Sequence, residues 1–167
     1  MKKWLIPVII ILVIIFGVYR WAVGFNNNAV TLNENVSEAW GNVQTSYQRR
    51  NDLIGNLVNT VKGAADFERK TLTDVIEARS KATQTTIDPA NITPEQLKQF
   101  NEAQGGLSSA LSRLLVTVER YPELKANENF LKLQDESTST ENTIQTARTR
   151  YNEAIKPFNN HDKTFPN

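Results

Sequence analysis

The chain has 167 residues, no cysteine, 19 lysines and arginines against 18 acidic residues, and 40% apolar side chains. That length fits one core with an appendage better than two enzymatic domains. The near-neutral balance excludes the basic excess that a nucleic-acid partner requires, and the lack of cysteine excludes disulfides, thiol catalysis, thiolate metal sites and lipoprotein acylation.

The first element is an apolar run. MKKWLIPVIIILVIIFGVYRW sets two lysines before a stretch from Trp4 to Tyr19, with Trp4, Tyr19 and Trp21 at the positions of interfacial aromatics. Carried to Gly24 it spans about 20 residues, the length a helix needs to cross the hydrocarbon, with Arg20 snorkelling to the interface. The rival reading is a cleaved leader ending near Ala22-Val23-Gly24, but Arg20-Trp21 crowds that site. We therefore expect a retained anchor over residues 1–25 and a second unit over 26–167. Lys2 and Lys3 outweigh Arg20, so the positive-inside rule places the N-terminus in the cytoplasm and the remainder outside. So short an inner segment argues against a one-chain receptor.

From Phe25 through Leu32, Val36, Trp40, Val43, Tyr47, Leu53, Ile54, Leu57 and Val61, apolar residues recur at three and four and form a stripe of about 140°. Gly63-Ala64-Ala65 suits a corner, with Asp66 capping a second helix through Leu72, Val75 and Ile76, although the apolar phase also continues unbroken there. Residues 84–93 read as a loop. Thr93-Pro94-Glu95-Gln96 predicts a capping box, and the helix that follows shows Leu97, Phe100, Leu107, Leu111, Leu114 and Val118 before Pro122 stops it. Gly105-Gly106 inside it calls for the close approach of another helix. A last helix from about Asn129 carries Phe130, Leu133, Ile144, Ala147, Tyr151, Ile155 and Phe158, with Pro157 expected to kink or fray its end. No segment has strand periodicity. The expected fold is all-α: a transmembrane helix followed by an antiparallel, four-helix-like bundle.

Polar residues interrupt these apolar faces. Arg50 falls in the middle of the first stripe, and a buried guanidinium needs a carboxylate or several carbonyls. Gln104 intrudes on the third helix; Ser137, Thr140, Glu141 and Arg148 intrude on or border the last. The expectation is a structural polar layer of Arg50, Gln104, Thr140, Glu141 and Arg148 that fixes helix register, with Glu141 the preferred partner of an arginine. Trp40 and Tyr47, together with the off-stripe Arg49 and Asp52, are candidate contacts to a neighbouring subunit.

Catalytic chemistry finds little support. The one histidine, His161, stands near the C-terminus, where a solvated role is expected, and no Glu-x-x-His pair is present to bind metals in a helical bundle. Phosphate-binding glycine loops and nucleophile elbows are missing. Neighbouring carboxylates such as Asp135-Glu136 point to different faces. No catalytic, cofactor or metal residue is assigned.

The blocks QRRNDLIGNLVNTVKG, ERYPELKANENFLKLQDE, TENTIQTARTRYNEAI and the closing FPN together resemble the LemA family of bacterial membrane-anchored helical proteins. The likeness runs from about residue 26 to the end. It implies an N-terminal anchor, a four-helix-like arrangement with the corner near Gly63, and no established enzymatic activity. The motif positions are Arg49, Arg50, Asp52, Leu53 and Asn56, then Tyr121, Pro122, Leu124, Phe130, Glu141, Asn142, Arg148, Tyr151, Asn152, Phe165 and Pro166. Gly55 stands where the family usually has proline, Phe67 where histidine is common, and Ser137 where an apolar residue is expected.

Together these readings predict a non-enzymatic, membrane-anchored scaffold or adaptor outside the cytoplasm, acting as a homo-oligomer or through other envelope proteins. Two alternatives stay open: an envelope enzyme acting on glycan through carboxylates such as Glu119, Glu123 or Glu128, and a sensor subunit signalling through a partner's transmembrane helix.

Overall fold

The computed structural model describes residues 4–64, 67–87 and 92–163. Among them lie five helices: α1 (Leu5–Lys62), α2 (Arg69–Gln84), α3 (Pro94–Val118), the single turn α4 (Pro122–Lys125) and α5 (Glu128–Lys163). Asp66 and Pro89 fall outside the described residues; α2 begins after Glu68, which makes no side-chain cap.

α1 has 58 residues and is therefore about 87 Å long. It runs without interruption from the apolar run into the bundle, because no proline or paired glycine breaks the ladder between Val8 and Lys62. The chain turns at Gly63, whose N–H donates to the carbonyls of Thr60 and Val61. The corner, rather than one long rod, is what forms.

α2 then descends along α1, α3 rises along α2, and α5 descends along α1, which gives an antiparallel four-helix bundle with α4 as a connector. The directions are plain in the contacts: Phe25 of α1 meets His161 of α5, and Trp40 meets Tyr151. α3 opens on the capping box that its sequence predicts, Thr93 Oγ1 accepting from the Gln96 N–H and Gln96 Oε1 accepting from the Thr93 N–H. Asn127 caps α5 by accepting the Phe130 N–H at 3.1 Å.

The apolar interior comes in two parts. Next to the anchor, Val36, Trp40, Val43, Tyr47, Phe100, Ile144, Ala147 and Tyr151 pack together. At the far end, Ile54, Leu57, Val61, Val75, Leu107, Leu111, Leu114 and Phe130 form the second core. Burial pushes the Tyr151 phenol above its usual pKa of 10.0, so at neutral pH the ring is an uncharged packing group.

Two expectations about local backbone are corrected here: the fraying of α5 at Pro157 and the close helix approach at Gly105-Gly106. α5 continues through Pro157 to Lys163. The carbonyl that the proline leaves without a donor belongs to Glu153, which is exposed and can be hydrated, while Ile155 and Phe158 still pack on α1. Gly105 and Gly106 receive no close helix either, since a Cβ at either would meet nothing within 4 Å. The glycine that does make room is Gly55, where a Cβ would come within 3.1 Å of the Arg79 guanidinium as Arg79 Nε donates to the Asn51 carbonyl at 2.7 Å.

Candidate functional site

Between the two cores every long helix contributes to one polar layer. Arg50 of α1 is 2% exposed and lies in the middle of it. Its Nη1 donates to Ser108 Oγ of α3 at 3.0 Å and to Glu141 Oε1 of α5 at 3.1 Å. Its Nη2 donates to the Gln104 carbonyl at 3.2 Å and to Gln104 Oε1. Gln104 in turn donates from Nε2 to the Ala82 carbonyl of α2 at 3.3 Å, which ties in the fourth helix. The guanidinium also lies 4.9 Å from the centre of the Tyr47 ring.

This arrangement suits Arg50 chemically. A fork of fixed donors can reach two helices at once, which a lysine ammonium cannot do with the same geometry. Four terminal N–H groups are engaged, while Nε is buried without an acceptor among the described residues. Glu141 is 44% exposed at its side chain, so one face of the layer is wet.

The wet face opens into a cleft of about 640 Å³ between α3 and α5, with Arg50 and Tyr47 of α1 as its floor. Its α3 wall is Asn101, Gln104, Gly105 and Ser108; its α5 wall is Glu141, Asn142, Ile144, Gln145, Arg148, Thr149 and Asn152. α3 and α5 are the neighbouring pair that packs least, and the missing side chain of Gly105 leaves the wall open.

The predicted layer residues do not all meet there. Arg50, Gln104 and Glu141 form one network. Thr140 is buried, but its hydroxyl donates back to the Glu136 carbonyl of its own helix at 2.8 Å. Arg148 is exposed at the cleft mouth, because Ile144, Ala147 and Tyr151 fill the core at its level. Ser108 joins the network with a weak sequence signal, its position one turn after Gln104 on the same face of α3.

The proposed contact residues divide as well. Trp40 and Tyr47 are 2% and 5% exposed and are consumed within the subunit: Trp40 packs on Phe100 and Tyr151, and Tyr47 meets Phe100 edge-on at 5.0 Å. Neither ring offers a surface to a second chain in this arrangement. Arg49 and Asp52 are exposed, Asp52 accepting from Gln48 at 3.0 Å and lying 4.0 Å from Arg79. His161 is not the solvated residue expected of it: it is partly buried, its ring 4.4 Å from that of Phe25, where α5 ends beside the exit of α1 from its apolar run. Trp4, Tyr19 and Trp21 are all exposed on that run.

Glu119, Glu123 and Glu128 are exposed at the far end of the bundle, with Glu119 bonded to Lys125. The cleft itself holds one carboxylate, Glu141, whereas acid–base cleavage of a glycosidic bond takes two. Among the described residues no cluster of three histidine, aspartate or glutamate side chains could hold a metal ion.

Comparison with known proteins bears on this bundle. A family model described as the LemA family matches residues 39–167, from the first turn of the anchor-side core to the end of the chain. The chain belongs to the LemA family. It is 25% identical over 159 residues to the protein LemA of Metamycoplasma hominis, covering 94% of this chain and 68% of that one. It is also 27% identical over 150 residues to the magnetosome protein MamQ 2 of Paramagnetospirillum magneticum, covering 80% of this chain and 55% of the relative. The MamQ protein of Magnetospirillum gryphiswaldense matches at 25% identity with the same two coverages. The chain thus spans about half the length of the MamQ relatives that it matches. In this LemA-family chain, the Arg50, Gln104 and Glu141 network lies inside the matched region, and among the described residues one helix, α1, is long and apolar enough to cross a membrane, with its apolar portion not buried in the protein.

Proposed function

We propose that this LemA-family chain is a membrane-tethered, non-enzymatic helical scaffold of the bacterial cell envelope, anchored through residues 1–25 with its bundle outside the cytoplasm. It acts by association, with copies of itself or with other envelope proteins. The observation that carries the reading is α1: the same continuous helix supplies an exposed apolar run at one end and the central strip of both cores at the other. An apolar run of about 20 residues left uncovered by its own protein is stabilised by lipid, at roughly 30 Å of helix. A tether of this kind confines the bundle to two dimensions and raises its effective concentration toward partners.

Because the chain has no cysteine, single introduced thiols report topology without background. In spheroplasts, a membrane-impermeant maleimide is expected to label Glu34→Cys and to leave Lys2→Cys unlabelled until the membrane is opened. The reverse pattern overturns the orientation. A Glu34→Cys protein recovered free of membrane and lacking its first 20 or so residues would show a cleaved leader and overturn the tether.

A further inference from the structure

We propose that the cleft between α3 and α5 is a docking groove for an extended polypeptide segment of a partner protein, read through its backbone and through one carboxylate placed against Arg148. The inference rests on the scaffold reading and gives it a site.

The dimensions fit a short extended chain. The α5 wall from Glu141 to Asn152 is about 16 Å long at 1.5 Å per residue, room for about five residues of extended polypeptide. The volume of about 640 Å³ falls within the range of formed ligand sites.

The lining is unusual in its carboxamides. Asn101, Asn142, Gln145 and Asn152 face the groove, and their side chains make no hydrogen bond among the described residues. A carboxamide donates and accepts through the same planar group as a peptide bond, so a row of them pairs with a backbone without demanding a particular side chain.

Charge then adds direction. Glu141 stands at one end of the groove with Oε1 taken by Arg50. Arg148 stands seven residues further along the same face of α5, about 10 Å away, without an ion pair among the described residues. The two ends have opposite sign, and an incoming carboxylate belongs at the Arg148 end, away from Glu141.

The same lining disfavours a glycan. Sugar rings stack on open aromatic faces, and the one aromatic floor residue, Tyr47, is 5% exposed, with Arg50 over its ring and Phe100 against it.

The test uses the full chain in nanodiscs and fluorescein-labelled pentapeptide pools, random except for a central Glu, Gln or Lys, read by anisotropy. The Glu pool is expected to bind about five-fold more tightly than the Gln pool, the scale of one partly exposed ion pair. Arg148→Gln should erase that difference. Gly105→Gln, which fills the open wall, should weaken both pools while leaving the melting temperature unchanged or higher. Absence of saturable binding by every pool overturns the groove, as does a Glu preference that survives Arg148→Gln, or better competition by an N-acetylglucosamine oligosaccharide than by peptide. A blank result from a particle that still contains several subunits overturns the groove alone, and leaves association standing.

Discussion

Trp40→Ala is expected to destabilise the bundle by about 4 kcal/mol, the cost of removing a large aromatic from a closed core. For a domain of this size that lowers the melting temperature by roughly 10 °C. The indole is 2% exposed and is held between Phe100, at 5.6 Å between ring centres, and Tyr151, at 5.1 Å. Its Nε1 is buried without a hydrogen-bond partner among the described residues, so Trp40→Phe removes an unsatisfied donor along with some volume and should recover most of the loss. Thermal unfolding of the three proteins distinguishes a core residue from a contact between subunits. A contact residue would leave the melting temperature of Trp40→Ala in place and change only the mass of the particle.

Arg50→Ala is expected to cost about 3 kcal/mol, at the lower end of the range for breaking a buried ion pair. Glu141 is 44% exposed and can take water through the cleft, which spares part of the penalty. Gln104 is 4% exposed, and its Oε1 loses the guanidinium donor while its carbonyl keeps only the N–H of its own helix. Arg50→Lys keeps the charge and loses the fork, so less than half of the stability should return. Combining Arg50→Met with Glu141→Leu should be less damaging than the two single losses added together, because the pair is removed and no charge is left alone. Urea denaturation of the set measures this directly, and strict additivity would separate Arg50 from Glu141 energetically.

These two residues also mark what sequence could and could not supply. Arg50 was legible because helix periodicity alone puts it inside an apolar stripe, and burial of a guanidinium obliges a network around it. The capping box at Thr93 and the stop before Pro122 were legible for the same local reason. Trp40 and Tyr47 read as available surface because a stripe does not say how many helices cover it; here α3 and α5 both do. Arg148 shares a face with Glu141 at seven residues, yet α3 and α5 splay, so one position closes over Arg50 and the other opens to water. That splay, and the cleft it makes, depends on packing between segments some forty residues apart in sequence, which no local periodicity encodes. A near-terminal position suggests a solvated His161, whereas α5 runs back along α1 far enough to set the ring on Phe25. Membership of the LemA family was carried by the blocks around Arg50 and Glu141, which in space converge on one layer.

The central claim is association under a membrane tether, and the mass of the full chain in nanodiscs or mild detergent, measured beside residues 26–167 in buffer, tests it most directly. The account predicts a discrete particle of several subunits, or a stable complex with a second envelope protein, for the tethered chain, and weaker assembly once the anchor is removed. Full-length chains that stay single at every concentration, and that crosslink to no other protein in their own membrane, would contradict it.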